Sequence, residues 1–215
     1  MFTRIETELT TAATDVVLGL LCAGLAVGLA TIPAQAPWKR HVWIAALLCM
    51  AVGSALGAVA HGFTLSEGAR NALWKPLYLS LGLAVALVVV AAVCDWSGEA
   101  AARRVLPWAL AAAIVFFAAS QWLGGAFLIF VVYESVATLI ALAIYTSLAR
   151  RGGLPGAALI ATGLVLTLAA ALVQISSLSA RVAVRFDHNG LFHLVQIVAI
   201  TVMVAGVRAS LRAGF

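Results

Sequence analysis

The sequence predicts an all-α fold, a polytopic membrane protein whose bundle of seven transmembrane helices fills residues 1–215 as a single domain. Three observations predict it. Hydrophobic residues make up 64% of the chain and mean hydropathy is +1.11, more apolar surface than one water-soluble globule of this size can bury. Runs almost free of charge fall at 12–32, 42–61, 74–94, 105–120, 126–148, 155–175 and 189–207, each close to the roughly 20 residues a helix needs to cross hydrocarbon. The connections between them are short, and none is long enough to form a separate aqueous domain.

The first run is preceded by Glu6 and Glu8 and contains Asp15, with only Arg4 as a basic flank, so it reads as a span and not as a signal peptide. The second closes on His61. The third opens with Trp74 and Lys75, which read as interfacial anchors, and Trp38, Trp43, Trp96 and Trp122 fit the same aromatic belt. The fourth carries no charge. The fifth contains Glu134, the sixth ends at Gln174, and the seventh opens with Asp187-His188-Asn189 and contains His193. Cys22, Cys49 and Cys94 show no short pairing and read as small packing residues, so neither a disulfide framework nor a zinc knuckle is expected.

Lys and Arg set the orientation, because loops that stay cytoplasmic carry their excess. Lys39, Arg40, Arg103, Arg104, Arg150, Arg151, Arg208 and Arg212 fall on one side, while Arg4, Arg70, Lys75, Arg181 and Arg185 fall on the other. The N-terminus is therefore expected outside and the C-terminus inside. The net charge of +5 follows from this topology and needs no nucleic acid partner. A bacterial inner (plasma) membrane is the expected location.

Threaded in this way, the ionisable residues inside the spans gather in the outer half of the bilayer. Asp15 lies early in the first span, His61 ends the second, and Glu134 is roughly 12 Å below the outer surface at 1.5 Å per residue. The inner half is expected to offer nothing comparable. Ionisable residues inside a membrane are costly, so each is a candidate functional residue. Ser54, Gly57 and His61 share one helical stripe, although Ser54 alone also reads as a packing residue. Asn189, His193 and Gln196 share another. His188 lies about 140° from His193 on a helix and joins the site only if the helix starts near Asn189. Asp187 and Asn189 fit a helix cap as well as a site. Asp15, beside Thr10, Thr11 and Thr14, fits a frayed helix start as well as a site.

Imidazoles and carboxylates brought together from several helices suit zinc, which takes nitrogen and oxygen donors. His61, His193 and, conditionally, His188 are the expected metal ligands. Glu134 and Asp15 are the expected catalytic carboxylates, as general base or as the group orienting a ligand histidine. A substrate arriving from the outer leaflet would be a lipid, and the expected reaction is hydrolysis of an amide or ester.

The layout resembles the superfamily of seven-helix membrane hydrolases that includes the alkaline ceramidases and the adiponectin and progestin receptors. The resemblance is carried by Ser54 and His61 at the end of the second span and by His188 and His193 at the start of the seventh. It implies zinc held by three histidines with a Ser nearby, here Ser54, and hydrolysis of a lipid amide. Gly57 stands where that family places its Ser four residues before the His. The family's histidine pair has three intervening residues where this chain has four. Where the family carries an Asp at the start of the third helix, this chain reads Asn71-Ala72-Leu73-Trp74-Lys75, and Glu134 and Asp15 are the available carboxylates.

The competing expectation is a non-enzymatic receptor or transporter whose polar pocket binds a small hydrophobic ligand or relays protons through Glu134 and the histidines. No internal repeat or broken span favours a transporter. Haem held by His61 and His193 would colour the protein, and a retinal protein is disfavoured because neither Lys39 nor Lys75 lies deep in a span. Membrane lipids are the partners expected under either function.

Overall fold

The computed structural model describes residues 1–33, 35–123 and 126–213, without the side chain of Ala126. It contains seven helices: α1 (Glu6–Ala30), α2 (Pro37–Gly62), α3 (Glu67–Ser97), α4 (Glu99–Trp122), α5 (Ala126–Arg150), α6 (Ala157–Gln174) and α7 (His188–Ala213). All seven are long and apolar enough to cross a membrane. Several extend past the apolar runs, so that Lys39, Asp95, Arg103 and Arg150 are helical residues and not loop residues.

Six helices close a ring in which neighbours run α1, α2, α3, α5, α6, α7 and back to α1. Helix α4 stands outside it, packed mainly on α3 and also on α5. Its burial agrees with that place. Only Ala102, Ala113, Phe116 and Ser120 are buried on α4, whereas α7 buries eleven residues.

Small residues let backbones approach where the ring is tightest. A methyl group on Gly163 would lie 2.6 Å from Met203 Cβ, and one on Gly206 would lie 2.5 Å from the Gly156 carbonyl oxygen, so α6 and α7 touch backbone to backbone. The reversal from α3 to α4 is a single residue, Gly98, at φ +86°, a conformation that favours glycine.

The end of the bundle where the chain starts is tied down by two devices. Residues before α1 bridge to Phe63, where Phe2 stacks on Phe63 at 4.8 Å. Between α6 and α7 a two-stranded hairpin, β1 (Ala180–Arg181) and β2 (Arg185–Phe186), lies against α1. There the Thr10 hydroxyl donates to the Arg185 carbonyl at 2.9 Å, and the Arg185 amide donates to Glu6 at 3.1 Å. The apolar core, centred on Trp43, Tyr145, Val90 and Val207, lies toward the opposite end.

Candidate functional site

All six ring helices, and none of α4, line a cavity of about 360 Å³ near the chain-start end. Asp15 comes from α1, Ser54 and His61 from α2, Glu134 from α5, Gln174 from α6, and His188, Asn189, His193 and Gln196 from α7. The expected site residues are thus brought together in one pocket. Its apolar wall includes Trp74, Tyr78, Phe130 and Phe192. Trp74, expected as an interfacial anchor, is a wall of the pocket, edge-on to His61 at 5.7 Å.

The stripe on α2 has a defined purpose at Gly57. A methyl group there would lie 2.7 Å from Asp15 Oδ2 and 3.0 Å from its Cγ, so the missing side chain is the space the Asp15 carboxylate occupies. Asp15 is 4% exposed, in an unbroken α1 that starts nine residues earlier, and it is not part of a frayed helix start. Gly57→Ala is expected to push this carboxylate aside, costing about 1–3 kcal/mol of stability by overpacking. Thermal unfolding in detergent would show the loss, and an unchanged midpoint would contradict the tight contact.

Hydrogen-bond partners assign a tautomer to each histidine. Thr14 Oγ1 has one proton, directed to the carbonyls of Thr10 and Thr11 at 3.1 and 2.9 Å. Its oxygen therefore accepts from Nδ1–H of His193 at 3.0 Å. His193 Nε2 then carries a lone pair, and it lies 3.4 Å from Asp15 Oδ1. Two acceptors so placed require a proton or a cation between them. On the other side, Nδ1 of His61 donates to Glu8 Oε2 at 2.7 Å, which again leaves Nε2 as the free nitrogen.

That pattern is the one metal-bound histidines show, with one ring nitrogen held by an acceptor and the other given to the metal. Two donors at about 2.0–2.1 Å on a tetrahedral ion are about 3.3 Å apart, close to the His193–Asp15 separation. Among the described residues no three His, Cys, Asp or Glu side chains stand close enough together to hold a metal as they are. His61 and His188 line the same cavity.

Helix α7 begins at His188, so this residue is helical and not in the loop as its place in the site was expected to require, and it nevertheless lines the pocket with His193. Asp187 is a cap. Its Oδ1 accepts from the Gly190 amide at 3.0 Å and from the Thr11 hydroxyl at 3.1 Å, tying α7 to α1. Asn189 lines the pocket. Glu8 was missed as a site residue, although its spacing to Thr11 and Asp15 places all three on one face of α1.

Beneath this pocket lies a second cavity of about 70 Å³, and Met50, Leu81, Phe130, Glu134 and Gln196 line both. Glu134 is 7% exposed, and its Oε2 has no hydrogen-bond partner among the described residues.

The expectation that the other half of the bundle holds nothing comparable is corrected. Lys39 of α2 is paired with Asp95 of α3, with side chains 3% and 1% exposed. Lys39 Nζ also donates to Ser210 Oγ of α7 at 2.9 Å, and the Tyr145 hydroxyl of α5 donates to Asp95 Oδ2 at 2.9 Å. Lys39 is hidden from the sequence because it falls before the second apolar run. It nevertheless continues the spacing of the cavity-lining residues Trp43, Ala46 and Met50 on the same helix face.

No curated protein and no solved structure matches this chain. The model of a family of unknown function, DUF6962, matches residues 10–212. With its seven apolar helices almost wholly inside that match, the chain belongs to the family of unknown function DUF6962.

Proposed function

We propose that this protein is a zinc-dependent membrane hydrolase that cleaves a lipid amide or ester in the ring cavity. The observation that carries the proposal is the contact pattern, in which Nδ1 of His61 meets Glu8, Nδ1 of His193 meets Thr14, and His193 Nε2 faces a carboxylate oxygen at 3.4 Å. A cation answers that juxtaposition. His193, Asp15 and His61 would hold zinc, with His188 within the same pocket, while Glu8 and Thr14 orient the two rings. Zinc, when bound, supplies Lewis acidity and a water activated near neutral pH.

The chain's own residues would do the rest. Glu134, with its unpartnered Oε2, takes the proton from the attacking water and returns it to the leaving amine or alcohol. Ser54 lines the pocket and donates to the substrate carbonyl oxygen as charge builds there. The aromatic wall of Trp74, Tyr78, Phe130 and Phe192 receives the lipid and excludes water from the cleaved bond.

The pocket opens toward the outer leaflet of a bacterial inner membrane in the orientation favoured by the basic residues. With Lys39 buried in an ion pair, seven basic residues remain on the inner side against five outside, so the bias persists.

Elemental analysis of protein purified without chelator or metal-affinity tag tests the proposal. About one zinc per chain is expected, retained poorly in His61→Ala and lost in His193→Ala while the bundle stays assembled by size exclusion and circular dichroism. Metal absent from wild type, or equal in all three, would move the function to a receptor or transporter that binds a small hydrophobic ligand or handles protons in the same pocket.

A further inference from the structure

The smaller cavity is lined mostly by Ala, Leu, Val, Ile and Met, yet three buried polar atoms without partners among the described residues belong to side chains that line it: Trp43 Nε1, Glu134 Oε2 and Gln196 Oε1. Trp43 is 2% exposed, Gln196 5% and Glu134 7%. Polar atoms left unpaired at such depth each cost about 1–3 kcal/mol, so three around one void call for an occupant. Genuinely empty cavities are apolar throughout, whereas this largely apolar one has three side chains with unpaired polar atoms among its lining residues.

The three atoms also specify the chemistry of that occupant. The indole Nε1 can only donate, so the occupant must accept. The amide of Gln196 is oriented by its Nε2 donating to Thr167 Oγ1 at 3.3 Å, which leaves Oε1 as an acceptor, so the occupant must also donate. Glu134 Oε2 takes either part according to its protonation. A molecule that both donates and accepts, fits within about 70 Å³ and needs no charged partner is water, and the volume exceeds the roughly 10–15 Å³ that one water requires.

We infer that the smaller cavity is a built hydration site, holding a cluster of ordered water bound by Trp43, Gln196 and Glu134. Glu134 lines both cavities and is the residue through which this internal water meets the larger pocket. The cluster gives Glu134 a place to send or draw a proton on the side away from the larger pocket. The inference stands on this cavity alone, and holds whether or not the larger pocket carries a metal.

The protein reports on the site through Met203, which lines the cavity and is 7% exposed. Hydroxyl radicals generated in place by an X-ray pulse oxidise side chains that touch water, and running the pulse in oxygen-18 water marks the product as water-derived. Oxygen-18 incorporation is expected at Met203 and Trp43 in the intact protein in nanodiscs, despite their burial. Gln196→Leu keeps the bulk but removes the acceptor, and Trp43→Phe keeps a ring but removes the donor. Either is expected to lower labelling at Met203 about fivefold, the occupancy lost with one hydrogen bond. No label at Met203 while the exposed Met1 is labelled would show a dry cavity and overturn the inference. Label at Met203 that both variants leave unchanged would show that these residues do not hold the water, and would overturn it equally.

Discussion

Glu134→Gln is expected to lower kcat by about 10²–10⁴-fold on any lipid amide or ester the protein hydrolyses, the range for loss of a positioned general base. The substitution is isosteric and removes only the ability to take a proton. Glu134 lines the larger pocket without touching the Asp15, Thr14 and Glu8 contacts that hold the histidines, so zinc content and unfolding midpoint should match wild type. Single-turnover hydrolysis beside elemental analysis separates the two effects. A rate within threefold of wild type would remove Glu134 from the chemistry, and lost zinc with lost rate would make it a ligand instead.

The largest effect on stability is expected at the opposite end of the bundle. Asp95→Ala leaves the Lys39 ammonium buried with Ser210 as its remaining partner, and removal of one member of a buried ion pair costs about 3–5 kcal/mol. For a chain of this length that is a fall of about 6–20 °C in the unfolding midpoint. The paired variant Lys39→Met with Asp95→Leu removes both charges and is expected to regain most of the loss, because well-packed apolar residues replace such pairs at little net cost. Thermal unfolding in one detergent across the three proteins reads this directly. A single variant as stable as wild type would mean the pair is hydrated and contributes little.

Hydropathy made the seven helices legible, because a span must satisfy its backbone internally and be apolar for about 20 residues. The order of the ring was not legible, since nothing in the apolar run of α4 distinguishes a helix outside the ring from one within it; both read as membrane-facing. Asp15, His61, Glu134 and His193 stood out for the same physical reason that brings them together: a polar group in hydrocarbon must find a partner. Gly57 was visible as a gap, and only the packing of α1 against α2 shows that a carboxylate fills it. Lys39 and Asp95 escaped notice because charge near the end of an apolar run marks a boundary by composition. Here α2 and α3 continue past that boundary, and the two residues find each other across 56 positions of sequence. The partners of the histidines were the hardest to see, since Glu8 and Thr14 are ordinary residues for a helix start until the last helix is in place.

That last dependence has a consequence in time. Thr14 of α1 meets His193 of α7 across a separation of 179 residues. At about 5–20 residues per second of synthesis, α1 waits on the order of 10–35 s before its partner exists. Throughout that interval the carboxylate of Asp15 must be carried in the membrane by α2 alone, through the niche at Gly57. The pocket is therefore completed only when the seventh span arrives, and a chain truncated before α7 leaves the ribosome with its costliest side chain still unpaired.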